Sequence, residues 1–119
     1  MKKFAMLLAV VMVAVFSAGV TVAAKEPGTV TIKEVQKIKP PVTFEHKAHA
    51  DRIKNCAECH HKDAAGKEQK CFNCHKAVKT GAAVPMKDAM HTRCKGCHQK
   101  LMEAKKPAGP TKCDGCHKK

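Results

Sequence analysis

The sequence predicts a small, mostly irregular fold. It has a few short α-helices, a short N-terminal two-stranded β-ribbon, and a core supplied by something other than its own side chains. Three observations predict this. The 119 residues include no Trp, no Tyr and only four Phe, so the chain holds little apolar mass of its own. Gly, Pro and polar stretches interrupt every candidate element, so none can be long. The one internal repeat is a five-residue pattern, Cys-x-x-Cys-His, at residues 56–60, 71–75, 94–98 and 113–117. Its spacing is uneven, which excludes a solenoid.

The elements follow in order. Lys2 and Lys3 begin a secretory leader, Phe4 to Val20 forms its apolar stretch, and Thr21-Val22-Ala23-Ala24 supplies small residues for cleavage after Ala23 or Ala24. The uncharged run from Phe4 to Ala24 is long enough to serve instead as a retained anchor. Its small-residue end and the following Lys25-Glu26-Pro27-Gly28 favour cleavage, with residues 1–24 as leader and 25–119 as the exported domain. Thr29 to Ile32 alternates with β-branched residues and predicts a strand. Pro40-Pro41 breaks the chain, and Val42-Thr43-Phe44 pairs back as the second strand of a ribbon. Glu45 to Arg52 lacks Gly and Pro and predicts a short helix. Asp63 to Gln69 and Lys79 to Pro85 are loops. Met86 to Met90 predicts a helical turn. Lys100 to Lys106 extends a helix out of the third motif, and Pro107-Ala108-Gly109-Pro110 stops it.

Cys-x-x-Cys-His is the attachment pattern of c-type haem. Two thiols add across the haem vinyl groups, and the next residue's imidazole ligates the iron. All eight cysteines fall in the four motifs: Cys56 and Cys59, Cys71 and Cys74, Cys94 and Cys97, Cys113 and Cys116. Four haem c groups are therefore expected, about one per 24 residues of exported chain, and they form the core. Haem c is attached outside the bacterial cytoplasm, which agrees with the leader and with a periplasmic location.

The histidines sharpen this expectation. There are eight. His60, His75, His98 and His117 close the motifs, and His46, His49, His61 and His91 remain. Four haems with two axial imidazoles each need eight. His46 and His49 are spaced i, i+3 and share a helix face, so they serve two different haems. His60 takes the haem of its own motif, leaving adjacent His61 for another. His91 is poorly placed for the motif that follows it three residues on. Two imidazoles per iron leave no open position, which points to electron transfer at low potential and away from catalysis. Propionates near the irons are expected to titrate upward on reduction, coupling protons to electrons.

Other readings of the motifs explain less. Structural zinc needs four ligands per site and gives no reason for a His after every second Cys. Disulfides leave the histidines unexplained. A multihaem nitrite or sulfite reductase needs an open iron. Incidental metal-ion reduction by an exposed haem is a softer alternative, and a membrane-anchored quinol-oxidising cytochrome needs the leader retained.

The formal charge is +13, and losing Lys2 and Lys3 removes two of those charges, leaving +11. Eight propionates and four ferric irons bring the oxidised holoprotein to roughly +7. Such a surface suits an acidic docking partner. Nucleic acid is not expected, because no aromatics interleave the lysines.

The chain resembles the tetrahaem cytochrome c3 family and its smaller trihaem relatives of the cytochrome c7 type. The resemblance spans essentially the whole exported chain. It rests on Phe44-x-His46-x-x-His49, on Cys56-x-x-Cys59-His60-His61, on Ala89-Met90-His91 before Cys94-Lys95-Gly96-Cys97-His98, and on the ending from Gly109 to Lys119. It implies a multihaem cytochrome c fold and four ligand pairs: His46 with His60, His61 with His75, His49 with His98, and His91 with His117. Many family members have four residues between the cysteines of the second and fourth motifs, whereas this chain has two throughout. Its loops are compact, as in the trihaem relatives, yet His61, Cys71, Cys74 and His75 restore the second haem those relatives lack. The resemblance further implies a monomeric periplasmic carrier. Its donor would be a hydrogenase or formate dehydrogenase, and its acceptor a membrane cytochrome complex or metal reductase. Lys100, Lys105, Lys106, Lys112, Lys118 and Lys119 surround the fourth motif in sequence and mark the expected docking face.

Overall fold

A computed structural model describes residues 26–35 and 37–119. The expected leader lies outside the described residues. The ribbon forms where alternation places it: β1 is Val30–Ile32 and β2 is Val42–Phe44. They pair antiparallel, Val30 opposite Phe44 and Ile32 opposite Val42. Those four side chains share the half-buried face, while Thr31 and Thr43 point to solvent.

The first helix, α1, is His46–Ile53, one residue displaced at each end from the expected Glu45–Arg52. Its start is tied to the N-terminal loop, since Lys47 N–H donates to the Gly28 carbonyl at 3.0 Å. It ends at Lys54, whose left-handed φ of 56° lets its N–H reach the Ala50 carbonyl. On the exposed side Lys47 pairs with Asp51 at 3.1 Å, a contact worth about 0.3–0.5 kcal/mol in such i, i+4 positions.

The two expected loops are present. Gly66 and Gly81 hold positive φ of 78° and 58°, a conformation that disfavours any side chain. The second loop is pinched where Thr80 and Ala83 exchange backbone hydrogen bonds.

The C-terminal half differs from expectation in two respects. Met86–Met90 is α2 and Gly96–Glu103 is α3, and between them the chain continues as a π-helical turn over His91–Lys95. The helical turn before the third motif and the helix after it are thus one run, with Cys94 inside the widened turn. The run stops at Glu103 rather than continuing to Lys106. Lys105 adopts φ 54°, its N–H donates to the Met102 carbonyl, and Lys106 N–H reaches the Leu101 carbonyl. This is a Schellman closure with Lys in the position usually given to Gly. Pro107 comes after the stop and does not cause it. A single turn, α4 (Cys113–Cys116), carries the fourth motif.

Packing among these elements is sparse. Among the described residues one hydrophobic side chain, Met86, is buried, at 4% exposure. Its N–H donates to the Lys76 carbonyl and pins α2 to the segment after the second motif.

Candidate functional site

Each Cys-x-x-Cys-His unit is one turn of chain, and local hydrogen bonds close it. His60 N–H donates to the Cys56 carbonyl at 2.8 Å, His75 to Cys71 at 2.8 Å, and His117 to Cys113 at 2.7 Å. The first two units form 3-10 turns, Cys56–Glu58 and Cys71–Asn73, with nearly the same backbone at Cys59 and Cys74. In the first, the Asn55 side chain accepts from Ala57 N–H and caps the turn. An i, i+3, i+4 set on one turn faces one side. No two of the eight cysteines are joined as a disulfide among the described residues.

The histidines are brought together in pairs. The rings of His46 and His60 lie 6.2 Å apart between centroids, those of His49 and His98 6.2 Å, and those of His61 and His75 5.9 Å. The last two pairs are close to parallel, at 30° and 28°. For the two near-parallel pairs this spacing is too wide for face-to-face stacking. It fits a metal between two Nε2 atoms, since two Fe–N bonds of about 2 Å put the centroids about 6 Å apart. The adjacent residues His60 and His61 face different partners, and so do His46 and His49. No comparable approach joins His91 and His117 among the described residues.

Tautomers are set by hydrogen bonds from Nδ1. His49 Nδ1 donates to the Glu45 carbonyl at 2.8 Å, His75 to Val84 at 2.8 Å, His98 to Pro110 at 2.7 Å and His117 to Pro40 at 2.7 Å. A carbonyl can only accept, so the proton sits on Nδ1 and the lone pair on Nε2, as a metal ligand needs. His60 differs, because its Nδ1 faces the Asp63 carboxylate at 3.3 Å. Hydrogen bonds from Gln69, its backbone N–H first, hold the Asp63 carboxyl below the usual carboxylate range. His46 Nδ1 is buried and has no hydrogen-bond partner among the described residues.

Neighbouring elements hold these rings in place. Phe44, at the end of β2, packs its ring 4.5 Å from His49 and 6.0 Å, edge-on, from His46. Gly109 lies under His98, where a Cβ would meet the ring at 2.5 Å. Gly115 lies against Pro110, where a Cβ would come within 2.4 Å of another carbon. Both glycines are required by close approach. Glu58 and Arg93 approach at 4.0 Å and link the first motif to the π-turn. The six lysines expected on a docking face are all exposed, and none joins an ion pair among the described residues. No three His, Cys, Asp or Glu donors gather about one point among the described residues, as a zinc site would need.

Sequence reasoning missed the acceptors. The Val84, Pro110 and Pro40 carbonyls carry no residue-type signal. Asp63 carried one, a carboxylate three residues after a motif His.

A family model of class III cytochromes c matches residues 20–117. Among solved structures, PpcE, a cytochrome c7 from Geobacter sulfurreducens, is 30% identical over 78% of this chain and 100% of that one, with a TM-score of 0.52. The nine-haem cytochrome c from Desulfovibrio desulfuricans is 28% identical over 78% of this chain and 39% of that one, with a TM-score of 0.60. The high-molecular-weight cytochrome c of Desulfovibrio vulgaris is 25% identical over 86% of this chain and 22% of that one, with a TM-score of 0.57. The chain thus matches the whole of the first and a part of each of the others. No curated protein matches it.

Proposed function

Because the chain belongs to the class III cytochrome c family, we propose that it is a periplasmic electron carrier holding four haem c groups, each between two imidazoles. The observation that carries this reading is the set of three His pairs at 5.9–6.2 Å. Cys56 and Cys59, Cys71 and Cys74, Cys94 and Cys97, and Cys113 and Cys116 hold one haem each. His46 and His60, His61 and His75, and His49 and His98 close three of the irons. His91 and His117 are assigned to the fourth by the family pattern and by the count of imidazoles. Each haem supplies a one-electron couple, kept at low potential by two neutral nitrogen donors.

The chain's own residues do the rest. Backbone carbonyls hold the proton on Nδ1 of His49, His75, His98 and His117 and keep Nε2 available. Phe44 packs against the His49 ring and, edge-on, against His46, which steadies both. Exposed lysines around the fourth motif receive an acidic redox partner, such as a hydrogenase or formate dehydrogenase as donor or a membrane cytochrome complex as acceptor.

The mass of the exported protein tests the cofactor count directly. It should exceed that of the polypeptide beginning at Ala24 or Lys25 by four increments of about 616 Da. Visible spectra should show low-spin iron throughout. A mass without haem overturns the proposal. Docking has its own test: replacing Lys112, Lys118 and Lys119 with Gln should slow electron uptake several-fold at low salt, with little effect at high salt. An unchanged rate at low salt removes this face from the proposal.

A further inference from the structure

Among the described residues, four of the five histidines with an Nδ1 partner use a backbone carbonyl, and His60 alone uses a carboxylate. The difference is built into the loop between the first two motifs. The Asp63 side chain is only 13% exposed. Its Oδ2 accepts from Gln69 N–H at 2.9 Å and faces His60 Nδ1 at 3.3 Å. Its Oδ1 accepts from Gln69 Nε2 at 3.1 Å. Asp63 N–H donates back to the His60 carbonyl at 3.2 Å, closing the turn that carries the carboxylate under the ring. Gly66, at a φ of 78°, lets the loop double back so that Gln69 can reach Asp63. Gln69 Oε1 in turn accepts from Asn73 Nδ2 at 3.2 Å, inside the second motif. A continuous line of hydrogen bonds therefore runs from the His60 ring to the turn of the neighbouring motif.

We propose that Asp63 is a positioning residue that orients His60 and lowers the reduction potential of the haem held by Cys56, Cys59 and His60, with Gln69 as its anchor. A full negative charge at Nδ1–H pushes electron density into the ring and toward Nε2, and a neutral carbonyl does this less. A more basic ligand stabilises the oxidised iron over the reduced iron. The first haem is thereby set apart from those oriented by carbonyls. The inference rests on the four-haem reading above.

The test is a redox titration of the full holoprotein, resolved haem by haem by NMR. Asp63→Asn keeps an acceptor and removes the charge. At fixed ambient potential, the oxidised-to-reduced ratio of the first haem should fall about tenfold, equivalent to about 59 mV for a one-electron couple. The other three should move less than about threefold. Asp63→Glu retains the charge and should restore most of the shift. Gln69→Ala keeps the carboxylate but loosens its seat, so the shift should have the same sign and be smaller. If Asp63→Asn does not accumulate with four haems, Gln69→Ala decides: a fall in the first haem's ratio supports the role, and no change overturns it. A four-haem Asp63→Asn protein with an unshifted first haem overturns the role of Asp63 and leaves the carrier reading standing. A wild-type protein without haem overturns that reading instead.

Discussion

Produced without haem attachment, residues 25–119 should behave as an unfolded chain. Ordering a residue costs about 1–2 kcal/mol in backbone entropy, and burial of apolar surface has to offset it. Among the described residues only Met86 is buried, and no side chain falls below 2% exposure. Ile38, Val78 and Met102 are 93%, 71% and 56% exposed. A three-residue ribbon, the one short helix α1 and a helical run from Met86 to Glu103 that is interrupted by a π-turn and buries only Met86 do not stand alone in water. The apoprotein should therefore show little helical circular dichroism and no cooperative thermal transition, whereas the holoprotein should show both. This is the largest effect expected of any change to the molecule, because it removes the whole folding free energy. A cooperative transition in the apoprotein would mean that the polypeptide builds a core of its own.

The second large effect concerns a single ligand. His49→Ala should open one iron in four. His49 stands 6.2 Å from His98, nearly parallel to it, with Nδ1 committed to Glu45 and Nε2 left to ligate. His98 stays in place in the variant, because Pro110 holds its Nδ1 and Gly109 lies directly beneath it. On the four-haem proposal, the haem held by Cys94 and Cys97 would then keep one imidazole. The reduced variant should bind one carbon monoxide per chain where the wild type binds none, and one haem in four should become high-spin. No carbon monoxide uptake by His49→Ala beyond that of the wild type would show that His49 does not close that iron. Loss of its contact with Phe44 makes the variant less stable as well, by about 1–3 kcal/mol.

Part of this fold is legible in the sequence. The motifs are local, since one turn with His N–H bonded to the first Cys carbonyl settles Cys56, Cys59 and His60 whatever surrounds them. The ribbon was readable too, because Val30, Ile32, Val42 and Phe44 alternate with threonines and Pro40-Pro41 divides the strands. The end of α3 was not. A Schellman closure with Lys105 at the left-handed position carries none of the usual Gly signal, so Pro107 looked like the terminator. The π-turn over His91–Lys95 was equally hidden, because widening a helix by one residue per turn leaves no mark on composition.

By itself the sequence determined the chemistry on offer: four Cys-x-x-Cys-His turns, eight imidazoles, a basic chain and too little apolar mass for an ordinary core. Only the tertiary structure decided how the imidazoles are aimed. His98 finds its acceptor twelve residues away and His117 seventy-seven residues away. Every residue offers a carbonyl, so no residue type announces which one will be used. The choice is made by where the backbone passes once the ribbon, α1 and the long helical run have taken their places. The same holds for Asp63, whose carboxylate matters because the Gly66 turn folds Gln69 back onto it.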